Sequence, residues 1–350
     1  MAQVARSVEP PVILQRRGVL GVLMLNRPRA LNALTTAMVE IMADALVAWA
    51  ADPAIETVVV LGAGERGLCA GGDVSVFYED AVSGTSRSET FWRKEYRLNA
   101  LIASYPKPYV ALMDGIVLGG GVGVSAHGSH RVVTDRTRLG MPETGIGFLP
   151  DVGGTWLLSR APGELGTYLA LTAQHIGAGD AIEVGLADYY IAADRVHQLV
   201  DLLETTPPDQ ALTELSEAPP SATLTPMMTE IDADFAHDEP AMIVAALRSR
   251  GGEWAESALA ALDSKSPSSL VLTLRALRAA RDLGSLQQAL RQEFRAAVRL
   301  LRTHDLREGI RAQVIDKDRR PHWMPAALAD VDSAAIDALF APLAQELSLR

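Results

Sequence analysis

The chain has 350 residues, 48% of them hydrophobic and 21% charged, so it is long enough to bury a full core, and disorder is excluded as its dominant state. Its formal net charge of −11 repels polyanions and argues against a nucleic-acid partner. A single cysteine, Cys69, excludes an internal disulfide framework and a cysteine-based zinc site, and it is typical of a reducing compartment, so a cytoplasmic location is expected. The apolar stretches are too short for a membrane span, and residues 1–11 lack the pattern of a secretory signal.

Strands alternate with helices over the first 200 residues. Short apolar runs predict strands, and apolar residues spaced three and four apart predict helices. The predicted elements are, in chain order, a β-hairpin over 12–25, a helix over 38–49, strands over 57–61 and 109–113, a small-residue helix over 119–126, and a strand over 131–134. This alternation predicts an α/β core.

The amino-acid composition of the sequence changes near residue 205. Five of the 19 prolines lie between positions 207 and 226, in a polar and acidic stretch. Beyond it, leucine-rich stripes predict helices over 270–283 and 286–301. The predicted organisation is therefore a core over 1–204, a proline-rich linker over 205–238 and a C-terminal helical region over 239–350.

Three glycine-bearing segments could carry chemistry. They are Cys69-Ala-Gly-Gly-Asp73, Asp114-Gly-Ile-Val-Leu-Gly-Gly-Gly-Val-Gly123 and Gly140-Met-Pro-Glu-Thr-Gly-Ile-Gly-Phe-Leu-Pro-Asp-Val-Gly-Gly154. Glycine lets the backbone approach a ligand closely, and two N–H groups from separate loops can stabilise an oxyanion. The plainer interpretation is that these glycines form turns and packing contacts.

Two other motifs overlap the second segment. Residues 121–126 (Gly-Val-Gly-Val-Ser-Ala) match a dinucleotide fingerprint, but the helix is short for a crossover and Asp135 comes too early for the expected acidic residue. Ser125 lacks the closing glycine of a nucleophile elbow and is interpreted as a packed helix residue. The seven histidines show no metal-ligand spacing, so no metal is expected.

Taken together, the three segments resemble the crotonase (enoyl-CoA hydratase/isomerase) family. Leu25-Asn-Arg-Pro-Arg-Ala-Leu-Asn-Ala-Leu34 precedes them in that family's order. The resemblance implies an α/β fold with a ββα spiral core that binds acyl-coenzyme A, and the family tends to form homo-oligomers. It also implies an oxyanion hole made by the N–H groups of Gly72 and Gly120. The coenzyme A contacts that it implies are Arg29, Ala30, Ala70 and Asp73, and no separate cofactor is expected.

The hydrolase branch of this family fits better than its hydratases. Family hydratases use two glutamates, and the first of these positions is Gly123 here while the second is Glu143. Asp151 stands where hydratases have glycine, which resembles the 3-hydroxyisobutyryl-CoA hydrolase branch. Glu95, in Phe91-Trp-Arg-Lys-Glu-Tyr-Arg-Leu-Asn99, corresponds to a substrate-contacting glutamate of that branch, although an exposed ion-pair role is the alternative. The tail segments at 307–318 and 321–325 also resemble it.

The expected reaction is hydrolysis of a 3-hydroxyacyl-CoA thioester, as in valine breakdown. Glu143 would act either as general base on a water or as nucleophile, and the sequence leaves both open. Asp151 would orient the water or the substrate hydroxyl, and its proximity could raise the pKa of Glu143. Two alternatives remain, an enoyl-CoA hydratase or isomerase that works with Glu143 alone and a non-catalytic acyl-CoA-binding protein.

Overall fold

The computed structural model describes residues 9–349. Residues 1–8, which include most of the segment in which no secretory signal is expected, and residue 350 lie outside the described part. The strands are β1 (Val12–Arg17), β2 (Leu20–Leu25), β3 (Thr57–Gly62), β4 (Tyr109–Met113), β5 (Ile116–Leu118), β6 (His130–Val133), β7 (Arg138–Gly140) and β8 (Tyr189–Tyr190). Each strand predicted from an apolar run is present, and the predicted hairpin is the antiparallel pair β1–β2.

The helices follow the same chain order. They are α1 (Thr36–Ala51), α2 (Val74–Ser83), α3 (Arg87–Ala103), α4 (Gly120–Gly123), α5 (Gly154–Leu158), α6 (Leu165–Thr172), α7 (Ala178–Glu183), α8 (Val196–Leu202), α9 (Pro208–Leu215), α10 (Met228–Phe235), α11 (Pro240–Arg250), α12 (Gly252–Asp263), α13 (Pro267–Asp282), α14 (Leu286–Leu300), α15 (His304–Ile310) and α16 (Ser333–Leu339). None of these helices is long and apolar enough to cross a lipid bilayer.

One mixed sheet organises the first 200 residues. Its strand order is β1-β2-β3-β4-β6-β8, and all neighbours except β1 and β2 run parallel. In β3, Val58 and Val60 face the larger hydrophobic core while Val59 faces a smaller one on the opposite side of the sheet. Such near-continuous apolar strands are typical of parallel sheets that are covered on both faces.

A second layer lies across the ends of this sheet. It consists of the parallel pair β5–β7 and of isolated bridges, including Leu34 with Gly72 and Cys69 with Val117. The consecutive strands β4 and β5, and likewise β6 and β7, each place one strand in the six-stranded sheet and the other in this pair, as in the spiral arrangement that the resemblance implies. The bridges bring the first and second glycine segments side by side.

The predicted linker over 205–238 is wrong, because this stretch is largely helical and packed. In α9, Ala211, Leu212 and Leu215 are fully buried against the smaller core. Phe235 of α10 is also fully buried, and its ring lies 5.2 Å from that of Tyr168. Prolines start α9 rather than prevent it, since the first helical turn tolerates a missing N–H.

The C-terminal helices share the larger core with the sheet instead of forming a separate one. Helix α15 packs against α2 and against the 3₁₀ turn Glu143–Ile146. At this contact a side chain on Gly309 would collide with the backbone of Ile146. The tail therefore rests directly on the turn that begins with Glu143.

Candidate active site

The three glycine segments and helix α3 enclose a small cavity of about 80 Å³. All three carboxylates predicted from the sequence, Glu95, Glu143 and Asp151, line it and are buried. The remaining lining residues are Ala70, Gly71, Gly72, Val74, Phe77, Phe91, Trp92, Gly119, Gly120, Pro142, Ile146, Phe148 and Val152. Residues from positions 70 to 152 thus converge on one space.

The N–H groups of Gly72 and Gly120 are available to a ligand. The bridge to Leu34 uses the carbonyl of Gly71 and the N–H of Asp73, which turns the N–H of Gly72 the other way. Gly120 opens α4, so its N–H has no acceptor within the helix. A Cβ on Gly120 would lie only 3.2 Å from the nitrogen of Gly72. Two free donors from separate loops are therefore adjacent, as an oxyanion hole requires.

Glu143 is placed beside these donors by the 3₁₀ turn that it begins. Its carboxylate lies against Gly119, where a Cβ would come within 2.6 Å of Oε1, and the backbone of Gly119 has φ 50°. The other oxygen, Oε2, is buried and has no partner within residues 9–349. Burial, reinforced by the charge of Asp151, raises the pKa of Glu143 well above that of an ordinary glutamate.

Asp151 forms a hydrogen bond that the sequence did not suggest. The hydroxyl of the fully buried Tyr96 donates to its Oδ2 at 2.7 Å. Burial raises the pKa of Asp151 to about 7, while the Tyr96 hydrogen bond opposes this rise. This hydrogen bond engages Oδ2, one of the two carboxylate oxygens of Asp151. The sequence around Tyr96 does not indicate this hydrogen bond, because a tyrosine on the buried face of a helix looks like an ordinary core residue.

Glu95 is a cavity residue rather than a member of a surface ion-pair network. Although Arg93, Lys94 and Arg97 surround it in sequence, the side chain is 2% exposed, and its Oε1 has no partner in the part of the chain that the structure describes. A Cβ on Gly120 would lie 2.7 Å from this oxygen. Burial, then the charges of Asp151 and Glu143, raise the pKa of Glu95 well above its usual range.

The position of the first hydratase glutamate has no room for a side chain. A Cβ on Gly123 would lie 2.6 Å from Cβ of Val152 and 2.9 Å from Nδ2 of Asn99. Asn99, which the sequence did not single out, is fully buried, and neither of its side-chain polar atoms has a partner among the described residues. The glycine at 123 is therefore built into the packing of the site.

The predicted coenzyme A contacts occupy different environments. Ala70 lines the cavity. The carboxylate of Asp73 accepts from Arg27 at 3.0 Å and from Ser75 at 2.6 Å, so it fixes the end of its own loop. Arg29 and Ala30 lie in an exposed turn, where the arginine is accessible to an anion.

The other motifs of this region serve packing. The hydroxyl of Ser125 donates to the carbonyl of Gly121 at 2.6 Å inside the protein, and a side chain on Gly121 would collide with the carbonyl of Cys69. Burial raises the pKa of the Cys69 thiol to about 12, which keeps it protonated. No group of His, Cys, Asp or Glu within residues 9–349 is arranged to hold a metal ion.

The raised pKa of Glu143 predicts that the difference in stability between wild type and a Glu143→Gln variant depends on pH. We expect Glu143→Gln to raise Tm by about 2–4 °C at pH 8, with the gain vanishing near pH 4. A carboxyl whose folded pKa is raised favours folding below its unfolded pKa of about 4.3, and this contribution is lost as the pH rises through the folded pKa. Thermal unfolding at the two pH values measures it. A change in Tm of equal size at pH 8 and pH 4 would contradict this prediction.

A second, larger cavity of about 430 Å³ adjoins the first. Phe77 and Phe91 line both cavities, and their ring centroids are 5.6 Å apart. They therefore form a wall between the two spaces and limit the length of a ligand in the smaller one.

Opening this wall should change the preferred ligand length. For a protein that acts on an acyl thioester, we expect Phe91→Ala to shift the kcat/KM ratio of a six-carbon over a four-carbon substrate by about 10-fold or more. Phe340→Ala, which lines neither cavity, is the matched control. An unchanged ratio for Phe91→Ala would show that the wall does not set length.

Comparisons with known proteins agree with this geometry. A family profile described as enoyl-CoA hydratase/isomerase matches residues 20–340. The chain is 39% identical to the 3-hydroxyisobutyryl-CoA hydrolase of Danio rerio over 95% of this chain and 90% of that protein. It is 38% identical to the hydrolase of the same name from Homo sapiens over 91% of this chain and 86% of that protein. Both relatives are described as mitochondrial.

Two solved structures are similar over nearly their whole length. A carnitinyl-CoA dehydratase from Mycobacterium thermoresistibile is 47% identical with a TM-score of 0.94, covering 97% of this chain and 98% of that one. An enoyl-CoA hydratase from Rhodobacter sphaeroides is 40% identical with a TM-score of 0.92, covering 97% of this chain and 100% of that one. With its spiral fold, its paired glycine donors and its matched length, the chain belongs to the enoyl-CoA hydratase/isomerase (crotonase) family.

Proposed function

We propose that this protein hydrolyses a 3-hydroxyacyl-CoA thioester, with 3-hydroxyisobutyryl-CoA as the expected substrate and valine breakdown as the expected process. Relatives that carry this activity in their names match 95% of the chain. The single observation that carries the proposal is the Glu143 carboxylate, whose Oε2 has no partner among the described residues and which adjoins two N–H donors while position 123 has no room for a second acid. One base facing an oxyanion hole suits acyl transfer to water.

In the proposed reaction, the thioester carbonyl oxygen accepts hydrogen bonds from the N–H groups of Gly72 and Gly120. Ionised Glu143 takes a proton from a water whose oxygen bonds to the carbonyl carbon. The tetrahedral intermediate then expels the sulfur, and the proton on Glu143 passes to the thiolate, giving the free acid and coenzyme A. In the alternative, the Glu143 carboxylate attacks the carbonyl carbon and expels the coenzyme A thiolate, which leaves a mixed anhydride. Water then splits the anhydride into the free acid and protonated Glu143, and the proton of Glu143 passes to the thiolate.

The substrate hydroxyl would be recognised by the other buried carboxyls. Glu95 Oε1 is an acceptor without a donor among the residues that the structure describes, and the carboxylate of Asp151 lies on the same cavity wall with Tyr96 bonded to its Oδ2. An analogue without the 3-hydroxyl would leave Glu95 Oε1 unpaired, which a buried site penalises strongly. This arrangement supports a preference for 3-hydroxyacyl over plain acyl thioesters.

A second candidate function is hydration or dehydration at a carbon–carbon double bond. Its support is that the two similar solved structures are those of a carnitinyl-CoA dehydratase and an enoyl-CoA hydratase. That chemistry ordinarily needs an acid and a base. Asp151, with a pKa raised to about 7 by burial, could supply the second group in place of the glutamate missing at 123.

A small substrate panel separates the candidates. The protein is incubated with 3-hydroxyisobutyryl-CoA, carnitinyl-CoA and crotonyl-CoA, while free thiol and enoyl absorbance are followed in parallel. Hydrolysis predicts thiol release from the first substrate with no change in enoyl absorbance. Enoyl absorbance that changes without thiol release would establish the second candidate instead. Binding of all three thioesters without turnover would identify a non-catalytic acyl-CoA-binding protein.

Coenzyme A would enter only as part of the substrate, and no separate cofactor is proposed. Arg29, which is exposed in the turn Pro28–Ala30, is the proposed contact for a phosphate of coenzyme A. The backbone around Ala30 and Ala70 would contact the rest of the coenzyme A group. We also propose that the protein forms a homo-oligomer and is located in the cytoplasm. Size-exclusion chromatography with light scattering tests the oligomeric state. Cell fractionation tests the cytoplasmic location against the mitochondrial location of the relatives.

A further inference from the structure

The loop that carries Asp151 has a backbone that its own residues do not favour. Val152 has φ 52° and Gly153 has φ 82°. A β-branched side chain in this left-handed region is rare because its Cβ crowds the neighbouring carbonyl. Contacts from elsewhere must therefore hold the loop in place.

One of these contacts comes from the C-terminal helical region. Glu293, in the middle of α14, is fully buried. Its Oε2 accepts from the N–H of Gly153 at 2.7 Å, and its Oε1 accepts from the N–H of Thr155 at 3.0 Å and from the hydroxyl of Thr155. All of its acceptor bonds thus go to residues that closely follow the strained position.

The opposite side of the loop is held by His127. Its Nε2–H donates to the carbonyl of Val152 at 2.7 Å, and burial lowers the pKa of this imidazole to about 4, so it is neutral. With Tyr96 on the carboxylate of Asp151, the backbone after Asp151 and its side chain are fixed by separate groups.

We propose that Glu293 is a positioning residue for thioester hydrolysis, which fixes the backbone of residues 152–155 and thereby aims the carboxylate of Asp151 at the substrate. The inference rests on the proposed function. It gives the C-terminal region a direct part in the site, because α14 reaches the loop from 140 positions further along the chain.

The charge of Glu293 also acts on its surroundings. Burial raises its pKa to about 8, while the bonds from Thr155 and Gly153 oppose the rise. The titratable groups that face it are Asp151, Tyr96 and Glu143, and its charge contributes to the raised pKa of the last two. Removing that charge should therefore move the acid limb of the pH–rate profile to lower pH.

The test is Glu293→Gln, assayed for thiol release from 3-hydroxyisobutyryl-CoA across pH. A glutamine has the same shape, but its amide nitrogen cannot accept from Gly153 or Thr155, so at least one bond to the loop is lost. We expect kcat to fall about 10- to 100-fold, KM to change less than threefold, and the acid limb to move to lower pH. Amide exchange of residues 152–155 should accelerate while that of β3 stays unchanged.

Asp180→Asn is the matched control. Asp180 is buried and accepts from the N–H groups of Thr223 and Leu224 and from the hydroxyl of Thr223, the same three-donor pattern, yet it lines neither cavity. We expect a comparable loss of Tm with kcat and the pH profile unchanged. Equal losses of kcat in the two variants, or a Glu293→Gln kcat within threefold of wild type, would overturn the proposal.

Two further measurements test the role of Glu293 if Glu293→Gln does not fold or if wild type releases no thiol. If Glu293→Gln does not fold, Thr155→Val removes one donor and leaves the carboxylate in place, and an unchanged kcat in that variant would overturn the proposal. If wild type releases no thiol from any thioester, the proposed function has failed. The exchange rates then still decide whether Glu293 holds the loop, since they do not depend on turnover.

Discussion

Replacing Glu143 by glutamine is expected to lower kcat for thioester hydrolysis by about 10²- to 10⁴-fold while leaving thioester binding nearly unchanged. The amide keeps the shape of the side chain but cannot take a proton from water or attack a carbonyl. It also keeps the contact with Gly119, so the backbone of the oxyanion hole should be undisturbed. Steady-state kinetics give kcat, and calorimetry with a non-hydrolysable thioether analogue gives the affinity.

The control is Glu56→Gln, an exposed glutamate outside both cavities, which should behave as wild type. A Glu143→Gln enzyme that retains more than one tenth of wild-type kcat would show that another group activates the water. A single turnover in ¹⁸O-labelled water tests for the anhydride. Label in the side chain of Glu143 establishes the anhydride, because general base catalysis never joins a Glu143 oxygen to the acyl carbon, whereas label only in the free acid shows that water attacked the acyl carbon.

The proposed oxyanion hole predicts that two glycine-to-alanine substitutions lower kcat to different extents. A methyl group on Gly120 would lie 2.7 Å from Oε1 of Glu95 and 3.2 Å from the nitrogen of Gly72, which is the space that the oxyanion needs. We therefore expect Gly120→Ala to lower kcat by about 10²- to 10³-fold, the loss measured when one donor of such a site is removed.

Gly72→Ala is the internal control for this result. Its methyl group would point at the rings of Phe91 and Phe77, 3.2–3.3 Å away, and leave the N–H facing the cavity. We expect kcat to fall less than about 10-fold, since only ring edges need to shift. Equal losses for the two variants, measured by thiol release at saturating substrate, would argue against the oxyanion assignment. Binding of the thioether analogue should change little in either case, because the donors act mainly on the transition state.

The proposed oxyanion donors and the main carboxylates could be assigned from the sequence because the local segments that hold them resemble family motifs. Gly72 and Gly120 stand in glycine-rich segments, and Glu143 and Asp151 stand in a non-periodic loop rich in proline and glycine. Such segments approach ligands in many folds, and these coincide with family motifs. The structure brings all four residues to one cavity.

The strands were equally predictable, since short continuous apolar runs bounded by turn residues are typical of buried strands. The region over 205–238 was not predictable in the same way. Its prolines and acidic residues are typical of a linker, yet the few apolar residues of α9 fall at positions that cover the outer face of the sheet. Whether a weakly apolar segment folds depends on the surface that it can cover, and a sequence pattern does not contain that surface.

The α/β core and the glycine segments follow from the sequence because each is encoded in neighbouring residues, and the spiral and the candidate base follow from the resemblance of these segments to a known family. Which side chains support them depends on the tertiary structure. Tyr96 reaches Asp151 across 55 positions and Glu293 reaches Gly153 across 140, and in the sequence both look like ordinary helix residues. Contacts of that separation depend on how helices pack around the loop, so their chemistry becomes visible only once the chain is folded.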